Sequence, residues 1–206
     1  MFFRQAVLIV HGFAGGTYDE ENLANYLELN RNFDVFQFTL KGHERNFSKV
    51  KYQEWIKSSE DMMDWLISKG YKKIYLIGHS MGGVIATYLS TKYKEVKKLV
   101  LAAPAFQYLD VIDDNLNVKE FMTLVKEYYH YPKNVTCDTL ILQGDNDNLV
   151  PLTSSKYVYD NVKGKKTLIY LKGITHDVFR NEREEEIFKL VEHYLKYGLS
   201  KGVEKI

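Results

Sequence analysis

The segment Ile74 to Gly83, IYLIGHSMGG, sets Ser80 between an apolar run and a helix-forming stretch, with Gly78 and Gly82 two residues to either side. In such a GxSxG turn the strand stops abruptly and a helix begins at the next residue. The serine is thereby forced into a strained backbone with its hydroxyl projecting from the sheet edge, where it can attack. The glycines lack the Cβ atoms that would collide where strand and helix approach, and Gly83 extends that clearance by one position. The new helix offers backbone N–H groups and its positive dipole end to an intermediate that develops negative charge. A serine nucleophile also needs a base, an acid to orient the base, and oxyanion donors. His176, in GITHD between the last apolar run and the final helix, is the candidate base. The segment Gly144 to Pro151, GDNDNLVP, offers Asp145 or Asp147 as the acid. Met81 follows the nucleophile and Phe13 stands in HGF after the first apolar run, so their two N–H groups are candidate oxyanion donors. The chemistry implied is acyl transfer.

The other reactive side chains have plainer readings. Asp145 fits a turn residue that bonds backbone N–H groups. Asp177 is the weaker acid, because a neighbour in sequence rarely faces the same ring. His11 is read as shaping the oxyanion loop, and His43, in KGH, as structural or as a contact near the site. His130 and His193 read as ordinary surface or helix residues. No HExxH or paired CxxC occurs, so neither a metal site nor a cofactor is expected. Cys137 is the only cysteine, which excludes an intramolecular disulfide and fits a reducing compartment.

The elements that must hold these residues are legible as alternating apolar runs and helix-period segments, the pattern of a parallel sheet covered on both faces. Six runs read as strands: Ala6 to Val10, Val35 to Leu40, Lys73 to Ile77, Lys98 to Ala103, Thr139 to Gln143 and Lys166 to Leu171. Leu23, Tyr26 and Leu27, then Trp55, Ile56, Ser59, Met62, Met63 and Leu66, recur at spacings of three and four, as on amphipathic helices. Further helices are expected after Ser80, after Pro151 and from about Glu182 to Tyr197. Between Pro104 and Cys137 the chain is longer than one crossover helix requires. Within it Asn117 to Tyr129 has helical spacing, which predicts a small helical insertion over the carboxyl ends of the strands, where open α/β sheets bind ligands. Phe121, Met122, Leu124 and Val125 are its candidate substrate contacts.

With 206 residues the chain fits one domain able to bury roughly 70% of its unfolded surface. A formal net charge of +1 asks for neither nucleic acid nor an anionic membrane as partner. The first apolar run is too short for a signal-peptide core, and no segment is long enough to cross a bilayer, so a cytoplasmic protein is expected.

Taken together, the order Ser80, Asp147, His176 resembles that of the α/β-hydrolases, over essentially the whole chain. HGFAGG, FTLKGH, GHSMGG and GDNDNLVP are similar to segments of small bacterial carboxylesterases related to monoacylglycerol lipases. The family's GxxDxxVP pattern matches Gly144, Asp147, Val150 and Pro151, and this resemblance implies Asp147 as the triad acid. It also implies a minimal α/β-hydrolase fold in one domain, residues 1–206, with a mostly parallel six-stranded sheet and a small cap insertion at about 104–137. Two departures stand out. The chain begins at what the family would call its third strand, and the insertion is short for a lipase lid, which argues against long-chain triacylglycerols. The expected function is a serine carboxylesterase acting on short to medium acyl esters, with a small-molecule ester as partner. A thioesterase, an amide hydrolase or a non-catalytic binding protein of the same fold are the alternatives, and nothing in the sequence speaks to oligomeric state.

Overall fold

The structure, a computed structural model, describes residues 5–29, 33–43, 49–109 and 117–206. Among these residues seven strands form one sheet: β1 (Gln5–Val10), β2 (Phe33–Gln37), β3 (Ile74–His79), β4 (Val96–Ala102), β5 (Asp138–Gly144), β6 (Lys166–Leu171) and β7 (Gly202–Lys205). Their order is β2-β1-β3-β4-β5-β6-β7, and every neighbouring pair is parallel. The inner strands are apolar on both faces, as the uninterrupted runs VLIV, IYLI and LILQ require.

The six-strand expectation is corrected by β7. Its residues pair with β6 from Thr167↔Gly202 to Tyr170↔Lys205, yet three of its four side chains are exposed. It is held by backbone hydrogen bonds at a sheet edge and has no apolar run to reveal it. At the other edge β2 ends at Gln37, three residues before the apolar run does.

Among the described residues six α-helices cover the sheet: α1 (Glu21–Leu29), α2 (Tyr52–Ser68), α3 (Met81–Lys92), α4 (Val118–Tyr128), α5 (Leu152–Asn161) and α6 (Glu184–Tyr197). Leu23 and Leu27 of α1 pack with Ile187, Val191 and Leu195 of α6 on one face. Trp55, Met63 and Leu66 of α2, Ile85 and Leu89 of α3, Leu124 of α4 and Val158 of α5 pack on the other. The long connection before β5 carries α4, which rests on α2 and α3; its residues 110–116 lie outside the described residues. Among the described residues no helix is long and apolar enough to cross a membrane.

Candidate active site

Ser80 is the hinge between β3 and α3, and its backbone holds φ 54° and ψ −118°, a region that costs a non-glycine residue about 1–3 kcal/mol. Three backbone hydrogen bonds hold it there. Its N–H donates to the Ala102 carbonyl at 2.9 Å, and its carbonyl accepts from Gly83 at 3.0 Å and Ala105 at 3.1 Å. A Cβ on Gly78 would come within 2.7 Å of the Gly82 carbonyl carbon, and one on Gly82 equally close to that of Val10. Strand, helix and the loop after β1 therefore converge on this turn only because both positions are glycine.

His176 follows β6 and Asp147 follows β5. His176 Nδ1 lies 2.9 Å from Asp147 Oδ2. A carboxylate accepts only, so Nδ1 carries the proton and Nε2 is left as a base. The Asp147 side chain is fully buried and meets four donors: His176, the Gln143 amide at 2.8 Å, and the Leu149 and Val150 N–H groups at 2.9 Å each. Burial alone would raise its pKa, but the hydrogen bonds from His176, Val150 and Leu149 hold it below the ordinary carboxylate value. Gln143 is itself fixed, because Ser155 donates to its Oε1 at 2.5 Å.

Ser80 and His176 open onto one cavity of about 320 Å³. Phe13, Tyr108, Leu109, Val118, Phe121, Leu149 and Val150 form an apolar part of its wall, and Tyr18, Asp19, Glu20, Asp177 and Arg180 a polar part. Gly12 passes against the serine, where a Cβ would stand 3.3 Å from that of Ser80, and Phe13, the next residue, lines the same cavity. The Met81 N–H belongs to the first turn of α3, whose amides have no acceptor within their own helix.

Of the other expected site residues, Asp145 is turned away from His176. It accepts from the Gly173 N–H at 2.7 Å and pairs with Lys205 at 2.8 Å. Asp177 lies on the cavity rim beside Arg180. Phe121 lines the cavity and packs 5.0 Å from both Phe13 and Tyr108. Met122 points to solvent, while Leu124 and Val125 are buried in the core, and none of the three is brought to the cavity wall. His43 lies behind that wall, its ring 5.0 Å from His11 and 5.2 Å from Trp55. His11 accepts from the Leu40 N–H through Nε2 at 2.9 Å and donates from Nδ1 to the Gly12 carbonyl at 2.8 Å, so it fixes the loop carrying Phe13. Burial lowers the pKa of His11, and burial with the nearby His11 lowers His43 to about 3. His130 and His193 lie against Tyr129 and Tyr197. Burial raises the Cys137 thiol to about 11, which leaves it a poor nucleophile.

Glu20, His79, Gln143 and Tyr108 were not anticipated as site residues. His79 had a signal, since it adjoins the serine; the other three reach the site through tertiary packing alone.

A model of the alpha/beta hydrolase fold family matches residues 5–125. A carboxylesterase of Bacillus subtilis is 22% identical over 93% of this chain and 92% of its own length. A Mycoplasma pneumoniae protein provisionally named an esterase/lipase is 34% identical over 50% of this chain, but the match spans only 39% of that protein. Among solved structures, the monoacylglycerol lipase of Paleococcus ferrophilus superposes with a TM-score of 0.79 at 19% identity, covering 96% of each chain.

Proposed function

The chain belongs to the alpha/beta hydrolase fold family, and on that basis we propose that it is a serine esterase cleaving short to medium acyl esters through an acyl-enzyme. The observation that carries this reading is the His176–Asp147 hydrogen bond of 2.9 Å in the cavity onto which the strained Ser80 opens. The similarity to a carboxylesterase along nearly the whole chain supports the ester as substrate. Ser80 Oγ attacks the ester carbonyl while His176 Nε2 takes its proton, and Asp147 stabilises the imidazolium. The N–H groups of Phe13 and Met81 receive the charge on the carbonyl oxygen. His176 then returns the proton to the departing alcohol, and water attacks the acyl-serine by the same steps in reverse. The apolar wall around Phe121 suits the acyl chain. The connection carrying α4 acts as a small cap on a single domain.

A serine-directed phosphonate followed by mass spectrometry tests this directly. An adduct on Ser80 alone, absent in Ser80→Ala, is expected, together with turnover of butyryl esters. A folded protein with no adduct would sink the proposal. Faster turnover of matched thioesters or amides would move the assignment to another acyl leaving group.

A further inference from the structure

Beside His176, on the wall of the same cavity, lies a largely buried pair that the acyl-transfer steps do not use. His79 has an acceptor at each ring nitrogen: Nδ1 is 3.0 Å from Oε1 of Glu20, and Nε2 is 3.0 Å from the carbonyl oxygen of His176. A carbonyl only accepts, so Nε2 carries a proton. An ionised carboxylate also only accepts, so Nδ1 carries one too, unless Glu20 takes it. Burial opposes charge on His79, but the hydrogen bond and charge of Glu20 outweigh it and raise the His79 pKa, the direction that favours a protonated ring.

Glu20 is 1% exposed, and its Oε2 has no hydrogen-bond partner among the described residues, a costly placement for a carboxylate. The adjoining helix does not account for it. The Glu20 backbone carbonyl accepts from Ala24 at 3.0 Å to open α1, while the side chain turns to His79. The His79 and His176 rings are 4.9 Å apart at 39°, and Phe179 stands 6.3 Å from His79. The other charged groups nearby are engaged elsewhere. Arg180 holds Asp19 at 3.3 Å and Asp177 at 3.5 Å, Asp147 faces the far side of His176, and His11 is bonded to Gly12 and Leu40.

We propose that Glu20 and His79 are a positioning pair for His176. The carboxylate locks a doubly protonated His79 with Nε2–H on the His176 carbonyl, and the locked ring fixes the loop and ring plane of the base opposite Asp147. This rests on the reading of His176 as the general base.

Nitrogen-15 NMR of the histidines at neutral pH tests the pair without substrate. Wild-type His79 is expected to carry protons on both nitrogens. Glu20→Gln is expected to leave one, on Nε2, because the amide can donate to Nδ1. In Glu20→Leu the His176 Nδ1 proton signal should weaken, and kcat should fall by up to about 10²-fold through misplacement of the base. Because Glu20 also lines the cavity, the split identifies the role: a positioning pair should lower kcat by more than it raises KM. Glu20→Gln should restore most of kcat. An unprotonated nitrogen on wild-type His79, or unchanged kcat and His176 signal in folded Glu20→Leu, would overturn the proposal. Should Glu20→Leu not fold, the ring patterns of wild type and Glu20→Gln decide it. An inactive wild type with the expected NMR pattern would count against the esterase reading and leave the Glu20–His79 pair standing.

Discussion

Four donors converge on the two oxygens of Asp147, and this arrangement makes the residue intolerant of an amide. An asparagine there must turn its NH2 either on the Leu149 and Val150 amides or on Gln143 and His176. The first orientation breaks the loop, and the second inverts the His176 tautomer. Asp147→Asn is therefore expected to lose about 10⁴ in kcat and to melt earlier as well. Asp145→Asn keeps an acceptor for Gly173 and loses only an exposed ion pair, so it should remain active with a slightly lower melting temperature. Ester turnover and circular-dichroism melts of both variants check this; an active Asp147→Asn beside an inactive Asp145→Asn would reverse the assignment. Ser80, His176 and the two acid candidates were readable in the sequence because each follows a strand in a turn of recognisable composition. Glu20 and Gln143 were not, since a carboxylate just before α1 and an amide near the end of β5 reach His79 and Asp147 only through tertiary packing.

At the scale of elements, α4 divides into residues that face the cavity and residues that bind the helix to the body. Phe121 belongs to the first group, and Leu124 and Val125 to the second. Phe121→Ala is expected to change the ratio of kcat/KM between butyryl and octanoyl esters, because each methylene in an apolar pocket is worth about 1–3 kcal/mol. Leu124→Ala should instead cost about 2–5 kcal/mol of stability and leave that ratio alone. Met122→Ala should change neither. A chain-length ratio that moved with Leu124 or Met122 and not with Phe121 would show the helix to be oriented differently with substrate bound. The period of α4 was plain from the sequence, but which of its apolar residues faced the cavity was not, because a cap helix and a packing helix bury the same stripe. The inner strands were visible because burial on both faces demands apolar runs, and the half-buried edge strand β2 because FDVFQ still carries two aromatic residues and a valine. GVEK in β7 gave no such signal, since its pairing runs through the backbone and its side chains lie in water.

Over the whole molecule, buried histidines tie stability to pH. His11 and His43 have folded pKa values below 6.5, so the unfolded chain binds protons that the fold refuses. Stability should fall as pH drops from about 6.5 towards 3, the value to which His43 is lowered. Asp147, with a depressed pKa, contributes stability above 3.8 that is lost as pH falls through its folded value. His79 has the opposite sign, and its contribution fades as pH rises through its raised folded value. Melting temperature measured against pH should therefore decline steeply on the acid side, and His43→Gln should flatten that decline; an unchanged slope would mean that His43 does not resist protonation. The strand order has a further consequence, in time rather than in space. Every pairing is parallel and needs a crossover, and His79 meets the His176 carbonyl across 97 residues of chain. Such non-local pairing folds slowly, and synthesis proceeds from the N-terminus. A nascent chain can complete β1 to β4 and its serine turn while the segments bearing the acid and the base are still being translated. Ser80 is therefore in place before Asp147 and His176 exist, and the proposed hydrolytic competence is expected only once the segment bearing His176 has emerged.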